Sequence, residues 1–211
     1  DGGREGACRS LCRGSHTLCV AITHPEQNAN GLEASGMDVL RILPWGMQSA
    51  FAKTQPGYDV ETALFNAAAV LGEKLTACRL RQIADVVHYL DEQNGYERVV
   101  FVGQGPGALL ALLAAALLPK ARGAALLETQ LSFDALFEAD YYFAPETAFE
   151  TGLLRLCDLP DLAKLAGRVC AFTPKNPAGG SLAPHTPTPI PARWEKDALS
   201  AAAEWLEDKL C

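Results

Sequence analysis

Val99 to Pro119 runs for 21 positions without a charged residue, and this stretch constrains the fold more than any other part of the chain. It is long enough for a membrane span, but Gly103-Gln104-Gly105-Pro106-Gly107 divides it in two. Before the glycines stands Val99-Val100-Phe101-Val102, a β-branched and aromatic run suited to a buried strand. After them, Ala108 to Leu118 contains only alanine and leucine, both strong helix formers. A glycine turn between a buried strand and a buried helix accounts for the hydrophobicity without lipid.

Similar punctuation recurs around this unit. Candidate strands lie at Thr17 to Thr23, Arg98 to Val102, Gly123 to Leu127 and Arg168 to Thr173, alternating with candidate helices at Gly72 to Gln93, Gly107 to Leu118 and Trp194 to Leu210. Strands alternating with helices predict an α/β fold, a mostly parallel sheet flanked by helices. In the first helix Leu75, Cys78, Ile83, Val86, Val87 and Leu90 recur at near-helical spacing, and Asn94-Gly95 reads as its C-terminal stop. Pro174 to Pro191, with six prolines and two glycines, reads as a connecting loop. No repeat is visible and no linker separates two halves, so residues 1–211 read as one domain.

With 18 Lys plus Arg against 25 Asp plus Glu, a formal charge of −7, the chain lacks the electrostatic footprint of a nucleic-acid or anionic-membrane binder. Seven cysteines are too few for a disulfide scaffold and too many by one to pair internally. The chain starts at Asp1 with no initiator Met and no signal-like succession, which suggests a piece of a longer parent chain.

Two chemistries use a strand, a glycine turn and a helix. Gly103-x-Gly105-x-x-Ala108 fits a dinucleotide fingerprint, with Glu128 placed 25 positions after Gly103 as a ribose-binding carboxylate. Pro106 weighs against it, because it removes an N–H from a turn that would offer N–H groups to a pyrophosphate. Alternatively, Gly103 to Gly107 has the frame of G-x-S-x-G, the nucleophile elbow of α/β-hydrolases, with Gly105 in the serine position. Here the context resembles a family. Leu71 to Leu90 is similar to the helix before the elbow in acetyl xylan esterase-like and prolyl-oligopeptidase-like hydrolases. Arg98 to Leu118 resembles their strand, elbow and helix, and Gly152-Leu153-Leu154-Arg155-Leu156-Cys157-Asp158-Leu159-Pro160-Asp161 a segment before their next strand. The likeness spans roughly residues 15 to 182.

That resemblance implies a carboxylic ester hydrolase, and export to a periplasm or the outside. The residues imply loss of the activity. Gly105 has no side chain to act as nucleophile. Pro106 has no N–H for the oxyanion. The triad acid position falls, by resemblance, on Asn176, an amide that cannot stabilise an imidazolium as a carboxylate does. His185 is the candidate histidine. The resemblance also puts an Asp-x-Arg-Gly type turn where His24-Pro25-Glu26-Gln27-Asn28 stands, and sets the strands normally preceding Thr17 upstream of Asp1. The reading is a non-catalytic α/β-hydrolase-like module with a structural or binding role and no cofactor. Its expected partners are a carbohydrate or small ester ligand and a neighbouring domain or second copy. An esterase with an atypical nucleophile and a nucleotide-binding domain at Gly103 to Ala108 are the alternatives.

Weaker signals have plainer readings. Cys8, Cys12 and His16 could share a helix face, but no fourth metal ligand accompanies them; Cys19, Cys78 and Cys170 read as buried packing residues, and Cys211 has no activating neighbour. Phe133 to Pro145, aromatic and acidic, is either a sugar-binding surface or a cap-like excursion, the latter preferred. Asp134, Glu138 and Asp140 read as a solvated face, and His88 as an ordinary helix residue.

Overall fold

A computed structural model describes residues 8–10, 16–23, 30–33, 35–47, 60–140 and 152–210. Within them the strands are β1 (Cys8–Ser10), β2 (Thr17–Ile22), β3 (Asp38–Arg41), β4 (Arg98–Gln104), β5 (Ala121–Leu127), β6 (Arg168–Phe172) and β7 (Ala192–Arg193). They form one sheet in the order β1-β3-β2-β4-β5-β6-β7. Only the β1–β3 pair is antiparallel; all the others are parallel. The helices are α1 (Asn30–Glu33), α2 (Val60–Val70), α3 (Leu75–Asn94), α4 (Pro106–Leu117), α5 (Asp134–Phe137), α6 (Leu159–Leu165) and α7 (Ala198–Leu210).

The period of two along each central strand divides the core into two layers. Leu18, Val20 and Ile22 of β2, with Val99 and Phe101 of β4, point into the layer shared with α3, α4 and α6. Cys19 and Ala21, with Val100 and Val102, point into the opposite layer under α1 and α7. The uncharged stretch is thereby used up as β4 and α4, sheathed on both sides. No helix among the described residues is long and apolar enough to cross a membrane.

The sequence places β2, β4, β5 and β6 to within two residues, and α3 ends as read. Gly95 takes the left-handed conformation (φ 66°, ψ 46°) and its N–H reaches Asp91 O at 2.7 Å. Other expectations need correction. A strand at Cys8–Ser10, absent from the sequence reading, precedes β2 and pairs antiparallel with β3. Cys8 therefore stands on a strand, not on a helix face with Cys12 and His16. His16 is exposed and lies 3.8 Å from Glu97. No group of metal-binding residues occurs among the described residues. The short strands β3 and β7 and the helix α2 have no counterpart in the sequence reading, and the last helix starts four residues later than Trp194. Cys12, Cys211, His24 to Asn28 and most of the acidic aromatic stretch lie outside the described residues.

Candidate functional site

The carboxyl ends of β4, β5 and β6 lie together because the three strands are parallel neighbours. The chain leaves β2 toward β3 but leaves β4 toward β5, so the order reverses beside β4, where open α/β sheets form their ligand crevices. A cavity of about 260 Å³ opens at this end, lined by Gly105 and Pro106 from the turn after β4, Glu128 and Thr129 after β5, and Lys175 and Gly179 after β6.

Three glycines in the first turn do different work. A Cβ on Gly103 would come within 2.5 Å of Gly107 O and 2.6 Å of Ala108 Cα, and one on Gly107 within 2.2 Å of Ile22 O. These are backbone obstructions that no side-chain rearrangement relieves, so strand and helix approach this closely only with glycine at both positions. At Gly105 a Cβ would meet nothing within 4 Å. Its φ of 49° and ψ of −116° are needed to turn the chain from β4 into α4, and its N–H is held by Leu127 O at 2.9 Å. Pro106 follows as the first helical residue, where its missing N–H costs the helix nothing.

The walls are tied from several directions. Asp158 caps α6 by accepting from Leu159 N at 2.7 Å, and also accepts from Phe133 N at 2.8 Å and Ser132 Oγ at 2.5 Å. One carboxylate thus fixes both Phe133 and Leu159 against the cavity. Lys175 N donates to Thr129 O at 2.9 Å, joining the loops after β5 and β6. On the far wall Arg79 grips Glu61 through two bonds of 2.8 and 2.9 Å, and its Nε donates to Trp45 O at 3.0 Å. Both side chains of this pair are about 95% buried (6% and 4% exposed). Sequence reasoning missed it: Arg79 is not among the apolar positions read along α3, and its partner sits on the unforeseen α2.

The loop after β6 is arranged otherwise. Asn176 lines no part of the cavity. Its Oδ1 accepts from Gly180 N at 3.0 Å, while its own N–H reaches Gly180 O at 2.8 Å, so the amide closes a turn within its own loop. His185 is exposed with a φ of 71° and also lies outside the cavity lining. The structure therefore does not gather Gly105, Asn176 and His185 around one cavity. Glu128, the carboxylate of the nucleotide reading, does line it. Its φ of 50° is unusual for a residue with a side chain and its Oε2 accepts from Gln104 Nε2 at 3.2 Å.

The remaining candidates are peripheral. Asp134, Glu138 and Asp140 are largely exposed and line no part of the cavity. His88 is on the surface of α3, 3.3 Å from Glu92. Cys19 and Cys170 are buried as expected, and burial pushes the Cys170 thiol up to about 11; Cys78 is only half-buried and accepts from Arg81 Nη2 at 3.4 Å.

No family model matches the chain, and no curated protein matches it by sequence. Solved structures do match. Est1E from Butyrivibrio proteoclasticus, solved with ferulic acid bound, superposes with a TM-score of 0.55 at 12% identity, covering 96% of this chain and 92% of its own. The chain has the α/β-hydrolase fold. A cold-adapted esterase from an Arctic intertidal metagenomic library gives 0.56 at 14% identity, over 93% of this chain and 84% of that one. The Pyrococcus furiosus esterase Pf2001 gives 0.55 at 12% identity, over 92% and 82%. At such identities the α/β-hydrolase likeness establishes architecture, and chemistry must be argued from this chain's own residues.

Proposed function

We propose that the chain is a non-catalytic module of hydrolase ancestry whose cavity at Gly105 binds a ligand without cleaving it. The observation that carries this reading is the contrast among the glycines of one turn. Gly103 and Gly107 are required by the backbone around them, whereas position 105 has free space on the cavity side and carries no side chain. A turn shaped to present a side chain presents none, so it offers no covalent nucleophile. Pro106 removes the adjacent N–H donor, and Asn176, engaged with Gly180, supplies no carboxylate to the cavity. Nucleophile, oxyanion donor and acid are lost together.

The nucleotide reading gains Glu128 at the end of β5, but the same proline weakens the phosphate cradle it requires, and the sheet matches hydrolases instead. The deciding experiment is hydrolysis of p-nitrophenyl acetate by the purified chain, run beside labelling with a fluorophosphonate probe. The expected result is a rate equal to buffer and no labelling; turnover above buffer by the purified chain, whether or not replacing a Ser or Cys near the cavity abolishes it, would overturn the reading.

A further inference from the structure

The sheet ends at β7, which covers only part of its neighbour. β6 runs over Arg168–Phe172, but β7 stands opposite Ala171 and Phe172 alone. Successive residues of a strand inside a parallel sheet turn their backbone groups to opposite sides. The Phe172 carbonyl faces β5, where it accepts from Glu128 N at 3.0 Å, whereas Ala171 N and Thr173 N face β7 and donate to Pro191 O at 2.8 Å and Arg193 O at 2.7 Å. By the same alternation Val169 turns its N–H and C=O toward the β7 side. The next rung there would need an N–H from residue 191, and Pro191 has none. Neither backbone group of Val169 has a partner on that side among the described residues.

A notch of about 370 Å³ opens at this bare stretch of edge, walled by Val169, Pro191 and Trp205. It lies at the amino end of β6, away from the cavity at Gly105, and its charge is one-sided. Arg168, Cys170 and Phe172 share the face of β6 that looks at α7, and Arg193, in register with Phe172, points the same way. Arg168 Nη1 donates to the Lys209 carbonyl at the end of α7, a neutral group that leaves the guanidinium charge in place. The Lys209 ammonium is balanced by Asp208 at 2.6 Å. Burial raises the Cys170 thiol and Arg193 works against it; Lys209 lowers the Asp208 carboxyl and Arg193 adds to that, which puts the Arg193 charge beside the notch. Two arginines therefore flank an unpaired stretch of strand.

We infer that the notch takes an extended acidic peptide of a partner, which adds one rung to the sheet at Val169 and sets carboxylates against Arg168 and Arg193. Strand addition supplies the N–H that Pro191 withholds and an acceptor for Val169 N. The residue opposite Val169 points away from α7, so its two neighbours point toward the arginines. The pattern recognised is an acidic residue on either side of a central one. A second copy of the chain is the wrong occupant, because pairing edge to edge about a two-fold axis would bring the arginines of both copies together on one face. The overall charge of −7 does not oppose the peptide, since physiological salt screens charges beyond about 8 Å. The site is separate from the cavity at Gly105 and holds whether or not that cavity is catalytic.

The test titrates three capped pentapeptides into the whole chain by calorimetry. The first is Thr-Glu-Val-Glu-Thr, the second has lysine in place of both glutamates, and the third is the first N-methylated at its three central residues, which blocks its backbone donors in either strand direction. The glutamate peptide is expected to bind with a Kd of about 1 mM or tighter, and the other two at least tenfold more weakly. Arg193→Gln, at an exposed position, should weaken the glutamate peptide at least fivefold while the chain still melts cooperatively, and Arg193→Lys should restore part of the loss. Equal binding of the glutamate and lysine peptides, equal binding of the methylated one, no binding of any probe, or an affinity indifferent to Arg193→Gln would overturn the inference. A dimer in sedimentation velocity that Arg193→Gln alters would give the notch to a second copy and overturn it as well.

Discussion

The turn after β4 and the loop after β6 both border the cleft end of the sheet, yet they have kept different things. In the first, Gly103 and Gly107 hold strand and helix at backbone contact around position 105, which has open space and carries no side chain. In the second, polar side chains are present but serve the loop itself, Asn176 by bonding Gly180 N and His185 by standing in solvent. The difference follows from burial. A turn locked between two core elements cannot change its path without breaking both, so only its outward position is free to vary. A solvent-side loop with six prolines can be rebuilt around any hydrogen bond it finds.

The largest expected effect lies on the wall that faces the turn. Arg79→Met leaves Glu61 buried without its cation and should cost about 3–5 kcal/mol, read as a lowered urea midpoint. Replacing both residues by apolar ones of similar volume should cost much less. Next, Gly107→Ala drives a methyl into Ile22 O and should cost about 3 kcal/mol, the upper end of overpacking penalties, whereas Gly105→Ala meets only backbone strain of about 1–2 kcal/mol. Equal losses at 105 and 107 would break the contrast between framework and free position. In the loop, Asn176→Ala removes one side-chain bond and should cost about 1 kcal/mol. His185→Gly should change the melting point least, within about 0.5 kcal/mol and toward stability, since glycine relieves the positive φ.

How much of this was legible in the sequence follows the same division. The buried strands and α3, α4 and α7 border on apolar runs, glycines and turn residues, and the eleven alanines and leucines after Gly107 could hardly be anything but a core helix. The three-residue β1, four-residue β3 and two-residue β7 are too short for a period of two to show, and they exist because neighbours supply the pairing. The turn at Gly105 could be read because its geometry is local. The cavity could not: Lys175, Glu128 and the Arg79–Glu61 pair converge from four separate segments, and only the sheet order brings them together. Asn176 was picked by its place in a resemblance, and place in the chain does not fix where an amide points.

The central claim is that the turn keeps the form of a nucleophile elbow while lacking its chemistry, the N–H donor as much as the side chains. The most direct measurement is the rate of p-nitrophenyl acetate hydrolysis by Gly105→Ser, which returns a hydroxyl to the cavity but leaves Pro106 in place. The account predicts a rate within tenfold of the unmodified chain. A thousandfold recovery would contradict it.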